Sequence, residues 1–294
     1  AADLRVFFKA LKPLGYLGST ISKEYGGSGL TYVDYGLLLE ALASGPVVMG
    51  EIVPPRTINY LGSPEQKKRW MAKLFSGDWV TTAMITEPQA GSDMRAFTTT
   101  AVLQGDSYVV NGKKRWIKLG GVSDLVTLMV SDGKGGLSRL VLEREQSPWH
   151  SREIDTVGIK NLSFVEVTFD NVRVPKENLL GDAGAGGEQF HRGIESSRVF
   201  VGIQAVGIAR QALDIAFAYA KERKAFGRPI GKFQLVQAAL GDAATRLQAA
   251  RLLCLHALSI LDSGRRAPRD VSMAKVYAIE TSIQACQAAM ESMG

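Results

Sequence analysis

The hydrophobic pattern of the chain changes twice, and these changes limit the folds that it can adopt. Residues 1–80 place apolar side chains at helical spacing, residues 81–185 alternate apolar and polar positions, and residues 186–294 return to helical spacing. Strands and helices do not alternate in the short units that build a parallel sheet. The pattern therefore predicts an α+β fold with a helical N-terminal domain, a central antiparallel β domain and a C-terminal up-down helix bundle.

Local signals place the helices. In the first region we expect helices over Asp3–Tyr16, Tyr32–Ala43 and Pro64–Phe75, the last started by Ser63 as N-cap and Gln66. Pro13 limits how far the first of these helices runs. In the last region, a helix has apolar positions that alternate in steps of four and three, which suits an antiparallel bundle. Those positions are Val236, Leu240, Ala243, Leu247, Ala250, Cys254, Ala257 and Leu261. A further helix is expected over Val271–Gly294.

The β domain has its own signals. Asn111-Gly112, after an apolar run, predicts a hairpin turn, because both residues tolerate positive φ. Short apolar runs over Leu125–Val130 and Leu137–Leu142 predict strands, and residues 165–170 alternate as a strand with one buried face does.

Composition excludes several classes of function. The chain has 294 residues, 46% of them hydrophobic, and a formal charge of +6 that is spread along the sequence. The basic runs, of which Lys113-Lys114-Arg115 is one, are short and are interpreted as solvated faces, so nucleic acid is not an expected partner. The three histidines are far apart, which argues against a metal site. No membrane span is expected, and the two cysteines are interpreted as buried apolar residues in a reducing compartment.

One polar segment carries candidate chemistry. Residues 85–93, ITEPQAGSD, offer hydroxyl groups at Thr86 and Ser92 and backbone N–H groups beside Gly91. Such a set suits a phosphate or the polar edge of a heteroaromatic ring, although a polar turn capped by Thr86 and Asp93 explains it equally well.

Four stretches together resemble the acyl-CoA dehydrogenase flavoproteins. They occur in order and in register, and with the YGGSGL loop and the GSPEQKKRW helix start they extend the resemblance over essentially the whole chain. The four stretches are ITEPQAGSD, NGKKRWIKLGG, FDNVRVPKENLLG and ERKAFGRPIGKFQ.

The resemblance implies domains at 1–80, 81–185 and 186–294, and an FAD bound between the β domain and the bundle. A neighbouring subunit would complete the FAD site, so a homodimer or homotetramer is expected. The residues implied for FAD are Ile85, Thr86, Gly91, Ser92, Trp116 and Lys118, with Arg223, Phe226 and Gln234 from the neighbour. Those implied for the substrate are Ser92, Glu195 and Arg198.

Several positions depart from the family pattern. The usual base would lie beyond Gly294, and Ser197 occupies the alternative base position, so the catalytic base is unknown. Lys118 stands where a small hydroxyl residue normally meets flavin N5. Smaller departures, each unfavourable to FAD, occur at Gln89, Ala225 and Glu291.

The implied activity is FAD-dependent α,β-desaturation of an acyl thioester carried on CoA or on an acyl carrier protein. An electron-transfer flavoprotein would accept the electrons, and the enzyme would work in the bacterial cytoplasm or the mitochondrial matrix. The alternatives are a flavin oxidase or oxygen-using enzyme on the same fold, and a flavin-free, non-catalytic homologue.

Overall fold

The chain forms two compact units in a computed structural model that describes residues 2–43, 51–133, 135–160 and 162–294. Unit 1 contains the described residues of 1–30 and 52–193, and unit 2 those of 31–51 and 194–294. The two units are groups of residues that pack together, so their bounds differ from those of the three sequence domains predicted above. Those boundaries stay a prediction.

Seven α-helices occur in the described part of the chain. They are α1 (Ala2–Leu11), α2 (Tyr32–Leu42), α3 (Val53–Leu61), α4 (Pro64–Ser76), α5 (Gly186–Glu222), α6 (Gln234–Asp262) and α7 (Pro268–Met293). The predicted start of α4 is confirmed, since Ser63 and Gln66 form a reciprocal capping box. Helix α1 ends at Leu11, and Pro13, which limits it as expected, lies in the short 3-10 turn that follows.

Helix α3 was not predicted. Its first turn contains Pro54 and Pro55, a pair that favours a loop in most contexts. Proline is nevertheless tolerated in the first turn of a helix, where its missing N–H has no intrahelical partner to lose. Ile58 of α3 is fully buried, so packing stabilises a helix that local signals do not reveal.

Eight strands of unit 1 form one sheet. They are β1 (Thr81–Met84), β2 (Thr100–Gln104), β3 (Ser107–Lys118), β4 (Leu125–Ser131), β5 (Leu137–Glu143), β6 (His150–Glu153), β7 (Phe164–Pro175) and β8 (Leu179–Leu180). The order is β6-β7-β3-β2-β4-β5-β8, with β1 paired to β4. Most neighbours are antiparallel, as predicted, but β1 and β2 both run parallel to β4.

The sheet has apolar clusters on both of its faces. The larger cluster includes Val126, Leu128 and Val130 of β4, all almost fully buried. Met129, which points the other way in the same strand, belongs to a second cluster with Ala90. Strand β4 is therefore buried on both sides, which explains why its sequence is continuously apolar.

The predicted hairpin turn at Asn111-Gly112 is wrong. Both residues lie inside β3, and the turn between β2 and β3 is made by Gly105 and Asp106, since Gln104 pairs with Ser107. Gly112 instead marks an irregularity in the β3–β7 ladder, with φ of +142°. A Cβ atom built on it would lie 2.5 Å from Cα of Thr99, so the close approach of that backbone requires glycine.

Unit 2 is helical, and the predicted apolar seam of α6 is confirmed. Its six central members from Leu240 to Ala257 are buried, and α6 packs along α7 and α2. Glu40 of α2, 2% exposed, accepts hydrogen bonds from Nη1 of Arg210 at 2.8 Å and Nε of Arg251 at 2.9 Å. A polar anchor therefore fixes α2 within a largely apolar packing.

One helical segment is more apolar than the sequence patterns suggested. Gly193–Glu222 is long and apolar enough to cross a membrane by length and hydropathy. More than half of its apolar window is buried inside the structure, and the core helix of a soluble protein satisfies the same criterion. The expectation that the chain has no span therefore stays a prediction.

The close approach at Gly112 predicts a large effect of adding one methyl group. We expect Gly112→Ala to lower the free energy of unfolding by about 3–5 kcal/mol, because a strained φ adds to overpacking against Thr99. The control is Gly105→Ala, where φ is also positive (+63°) but no atom lies within 4 Å of the new Cβ, and the loss should be about 1–2 kcal/mol. Urea unfolding measures both, and equal losses would contradict the steric argument.

Candidate functional site

The segment that follows β1 folds into a tight turn. The N–H of Glu87 donates to the carbonyl of Ala90 at 2.8 Å, and the N–H of Ala90 donates back at 3.3 Å. The turn leaves Gly91 and Ser92 exposed and Thr86 half-buried. The backbone N–H of Arg115 donates to the carbonyl of Thr86 at 2.9 Å, which joins the segment to β3. The polar segment predicted from the sequence is therefore held in place by the sheet.

A buried ion pair lies directly beneath this turn. Nζ of Lys114 is 2.7 Å from Oε1 of Glu87, and both side chains are fully buried. The same ammonium donates to the carbonyl of Ile85 at 2.8 Å and lies 4.3 Å from the ring centroid of Phe97. The interpretation of the basic run as a solvated face is therefore wrong for Lys114.

The carboxylate of Glu87 also accepts hydrogen bonds from the chain around it. Its donors include the backbone N–H of Thr98 at 2.7 Å, that of Thr99 at 3.1 Å and Nε2 of Gln89 at 2.8 Å. Burial by itself raises the pKa of Glu87, but the hydrogen bond and charge of Lys114, together with the hydrogen bonds from Thr98 and Thr99, outweigh it and bring the pKa to about 2. Burial lowers the pKa of Lys114 to about 8, against the opposing effect of Glu87. The pair is therefore ionised at neutral pH.

The ion pair could have been found by strand parity. Lys114 has the same inward parity along β3 as the buried Val110, so it falls on the core side of the strand. A charged residue at a core position needs a buried partner, and Glu87 is that partner. Gln89, a departure from the family pattern, adds a donor to this network.

Trp116 lies at a bulge in β3. The register passes from Lys114 opposite Val167 to Ile117 opposite Val165, so the bulge turns Trp116 out of the regular ladder. Its φ is +61° and its side chain is 50% exposed. A large aromatic residue held in left-handed backbone and facing solvent is a strained arrangement, and strain of this kind concentrates at functional sites.

Lys118 ends β3 two residues after Trp116. It pairs in register with Phe164 of β7 and is half-buried. The next residue, Leu119, again has positive φ (+60°) and donates its N–H to the carbonyl of Ser163 at 2.7 Å. Unit 1 thus contains the first six residues predicted for the flavin. Their roles stay predictions.

The remaining predicted residues lie in unit 2. Lys224–Ala225 (β9) and Arg228–Pro229 (β10) form a hairpin whose turn residues, Phe226 and Gly227, both have positive φ. This conformation is that of a two-residue hairpin turn, and it leaves Phe226 96% exposed.

The neighbours of this hairpin are also exposed. Arg223 precedes it, and Gln234 is the first residue of α6, whose N-cap residue Phe233 makes no side-chain cap. The N–H groups at the start of α6 therefore lack a side-chain acceptor, which favours an anion there.

Two of the α5 residues considered in the sequence, Glu195 and Ser197, have hydrogen-bond partners within unit 2. Glu195 is 6% exposed and accepts from Arg266, through Nε at 3.0 Å and through Nη2. Its other oxygen accepts from the N–H of Ala267, the N-cap of α7, at 3.4 Å. Oγ of Ser197 donates to Oε2 of Glu51 at 2.6 Å. Arg198 is half-buried. Glu195 thus has a structural role that the sequence analysis did not anticipate.

The chain is similar to proteins of one family along its whole length. Residues 2–78, 82–172 and 184–294 match the N-terminal, middle and C-terminal domains described for acyl-CoA dehydrogenases. It is 34% identical to the probable acyl-CoA dehydrogenase YngJ of Bacillus subtilis (strain 168), covering 98% of this chain and 79% of that protein.

Solved structures give the same result. A glutaryl-coenzyme A dehydrogenase glutaryl-CoA complex has a TM-score of 0.93 and 33% identity over 97% of this chain and 76% of that one. PigA with FAD and proline has a TM-score of 0.93 and 27% identity, over 99% and 79% of the two chains. Together these similarities confirm the resemblance and the fold class.

The buried pair predicts a stability effect that an exposed lysine would not show. We expect Lys114→Met to lower the free energy of unfolding by about 3–5 kcal/mol, because it leaves Glu87 charged and buried without its cation. Lys113 is exposed on the other face of β3, so Lys113→Met is the control and should change stability by less than about 0.5 kcal/mol. Denaturant unfolding measures both variants, and a small effect of Lys114→Met would contradict the assignment.

The low pKa of Glu87 predicts a specific acid sensitivity. A carboxyl group with a lowered folded-state pKa contributes stability that is present above its unfolded value of about 4.5 and is lost as the pH falls towards 2. The double variant Glu87→Gln, Lys114→Met lacks both charges, so its unfolding free energy should fall less steeply over this range. Urea unfolding from pH 6 to pH 2 compares the two slopes, and parallel slopes would exclude this origin.

Proposed function

We propose, from the premise that this chain belongs to the acyl-CoA dehydrogenase family, that it is an FAD-dependent oxidoreductase that desaturates an acyl thioester. The observation that carries the proposal is the pairing of an open polar turn with a strained, exposed tryptophan. A buried ion pair fixes the turn, and a β-bulge fixes the aromatic ring.

The donor groups of unit 1 fit the ring system of FAD. No hydrogen bond within the described part of the chain uses the N–H groups of Gly91 and Ser92 or the hydroxyls of Thr86 and Ser92. These groups can contact the polar edge of a flavin, and Trp116 supplies an exposed aromatic plane. Lys118 can donate to a flavin nitrogen, and its positive charge favours the reduced, anionic form. Ile85 packs against the apolar cluster under the turn.

Residues of unit 2 fit the polar half of the cofactor. Arg223 supplies a cation, and Gln234 stands at the uncapped start of α6, so both suit a pyrophosphate group. Phe226 presents a ring that is almost wholly exposed. We propose that these three residues serve the FAD of a neighbouring subunit, which requires a homodimer or homotetramer.

When bound, FAD supplies the hydride acceptor for the β-hydrogen of the substrate. The chain must polarise the thioester carbonyl, exclude water and place a carboxylate at the α-proton. Ser92 and Arg198 are proposed to contact the substrate. The hydroxyl of Ser197 donates a hydrogen bond to Glu51, and both oxygens of Glu195 accept hydrogen bonds. The base therefore stays unassigned.

The finer features of the proposal follow the family. We propose sequence domains at 1–80, 81–185 and 186–294, supported by the ranges that the three domain descriptions match. The thioester is carried on CoA or on an acyl carrier protein, and an electron-transfer flavoprotein accepts the electrons. The proposed compartment is the bacterial cytoplasm or the mitochondrial matrix.

A flavin spectrum tests the proposal. Protein purified with FAD should show the visible absorption bands of flavin. Under anaerobic conditions, acyl-CoA should reduce the flavin and bleach these bands. Bleaching followed by peroxide formation in air would favour the oxidase alternative. No flavin bands, with none gained on adding FAD, would exclude both enzymatic readings.

Trp116→Leu should weaken FAD binding about 10-fold, since stacking of an aromatic ring contributes roughly 1–1.5 kcal/mol. Trp79→Leu, which changes a partly exposed tryptophan outside the turn and the bulge, is the matched control and should bind FAD normally. Titration of the apoprotein with FAD measures both affinities. Equal affinities of the two variants would remove Trp116 from the site.

A further inference from the structure

A buried arginine of β5 carries a charge that no described carboxylate balances. Arg139 is 5% exposed, and its Nε has no hydrogen-bond partner. Within the described part of the chain, Arg139 donates from Nη1 to Oγ1 of Thr57, and this hydrogen bond is long, at 3.4 Å. Burial, and then the like charge of Arg56, lower the pKa of Arg139 to about 10, so it is still a cation at neutral pH. A buried charge is costly unless an anion accompanies it.

Arg139 borders the cluster that supports the polar turn. It pairs in register with Met129 and lies two residues from Leu137, so these three side chains share one face of the sheet. Met129 and Leu137 form the cluster that contains Ala90 of the turn, and Phe190 packs against it. The guanidinium carbon of Arg139 is 5.3 Å from the centroid of the Phe190 ring. The cation is thus part of the surroundings of the candidate site.

We propose that Arg139 binds a carboxylate on the acyl part of the substrate, so that the preferred substrates are thioesters of dicarboxylic acids. This inference rests on the proposed function. A carboxylate accepts two parallel hydrogen bonds from one guanidinium. The unpaired Nε and an Nη of Arg139 can donate these two hydrogen bonds. The charge of Arg56 strengthens the attraction of any anion at this position.

The surroundings favour a carboxylate over a phosphate. Met129, Leu137 and Phe190 are apolar neighbours of Arg139, and Oγ1 of Thr57 is already engaged as a donor to the carbonyl of Val53 at 3.2 Å. A phosphate dianion would need more hydrogen-bond donors than these residues offer. A monovalent carboxylate needs only the two donors of one guanidinium group. The phosphates of CoA are therefore the competing source of the anion, and the experiment separates them from an acyl carboxylate.

The test compares two five-carbon thioesters that differ in a terminal carboxylate. Glutaryl-CoA should bind the FAD-loaded protein more tightly than pentanoyl-CoA in isothermal titration. Arg139→Met should weaken the binding of glutaryl-CoA about 10- to 100-fold and leave pentanoyl-CoA within about 2-fold, because charge-assisted hydrogen bonds are lost for one ligand only. Arg173→Met, which removes an exposed arginine of the same unit, is the control for net charge and should affect neither ligand.

Stability without ligand separates a binding role from a structural one. Arg139→Met should unfold at the same or a higher urea concentration than the unmodified protein, since it removes an unbalanced buried charge. Unfolding at a clearly lower concentration would overturn the proposal, as would a preference for pentanoyl-CoA in the unmodified protein.

Equal weakening of glutaryl-CoA, pentanoyl-CoA and free CoA would assign the anion to CoA phosphate and overturn the proposal as well. If the flavin is reduced by pentanoyl-CoA but not by glutaryl-CoA, this inference fails and the proposed function stands. If no thioester binds or reduces the flavin, the proposed function itself fails.

Discussion

The arrangement of the candidate site depends on the buried ion pair between Glu87 and Lys114. An ammonium group inside a β-sheet is tolerated only when hydrogen bonds and an opposite charge replace its water. Here the carboxylate arrives from the turn that follows β1, and it also collects N–H groups from Thr98 and Thr99. One interaction therefore sets the path of three chain segments. The open donors of the polar turn are held in place because the charges beneath them cannot move apart.

Some residues of the same sheet stabilise the fold, whereas others are costly for folding and are candidates for function. One apolar cluster forms a conventional core, with Val126 and Leu128 among its members. The sheet also carries features that are costly for folding, namely the left-handed backbone of Trp116 and the buried Arg139, whose Nε has no hydrogen-bond partner among the described residues. Unfavourable conformations and buried charges of this kind are maintained only when the surrounding structure holds them in place, and they are most common at functional sites.

Much of the fold could be predicted because its signals are local. The capping box of Ser63 and Gln66 and the apolar seam of α6 depend on residues a few positions apart. The errors arose where distant contacts decide. Pro54 lies in the first turn of α3, a helix that packing of Ile58 stabilises. Gly112 lies within a strand, where the backbone of Thr99 approaches too closely for a Cβ.

The order of helical and β regions, the family, and the polar segment that offers donors at Thr86 and Ser92 all followed from the amino-acid sequence alone. Periodicity, turn chemistry and motif spacing depend on residues that are close together in the chain, so they can be recognised without the three-dimensional structure. Three features required the three-dimensional fold: Lys114 is a buried partner of Glu87, Glu195 accepts a hydrogen bond from the N-cap residue of α7, and Arg139 lies beside the cluster under the turn. Each of these depends on which residues meet across the sheet or the bundle. Burial then determines what a charge costs and where its counter-charge must come from.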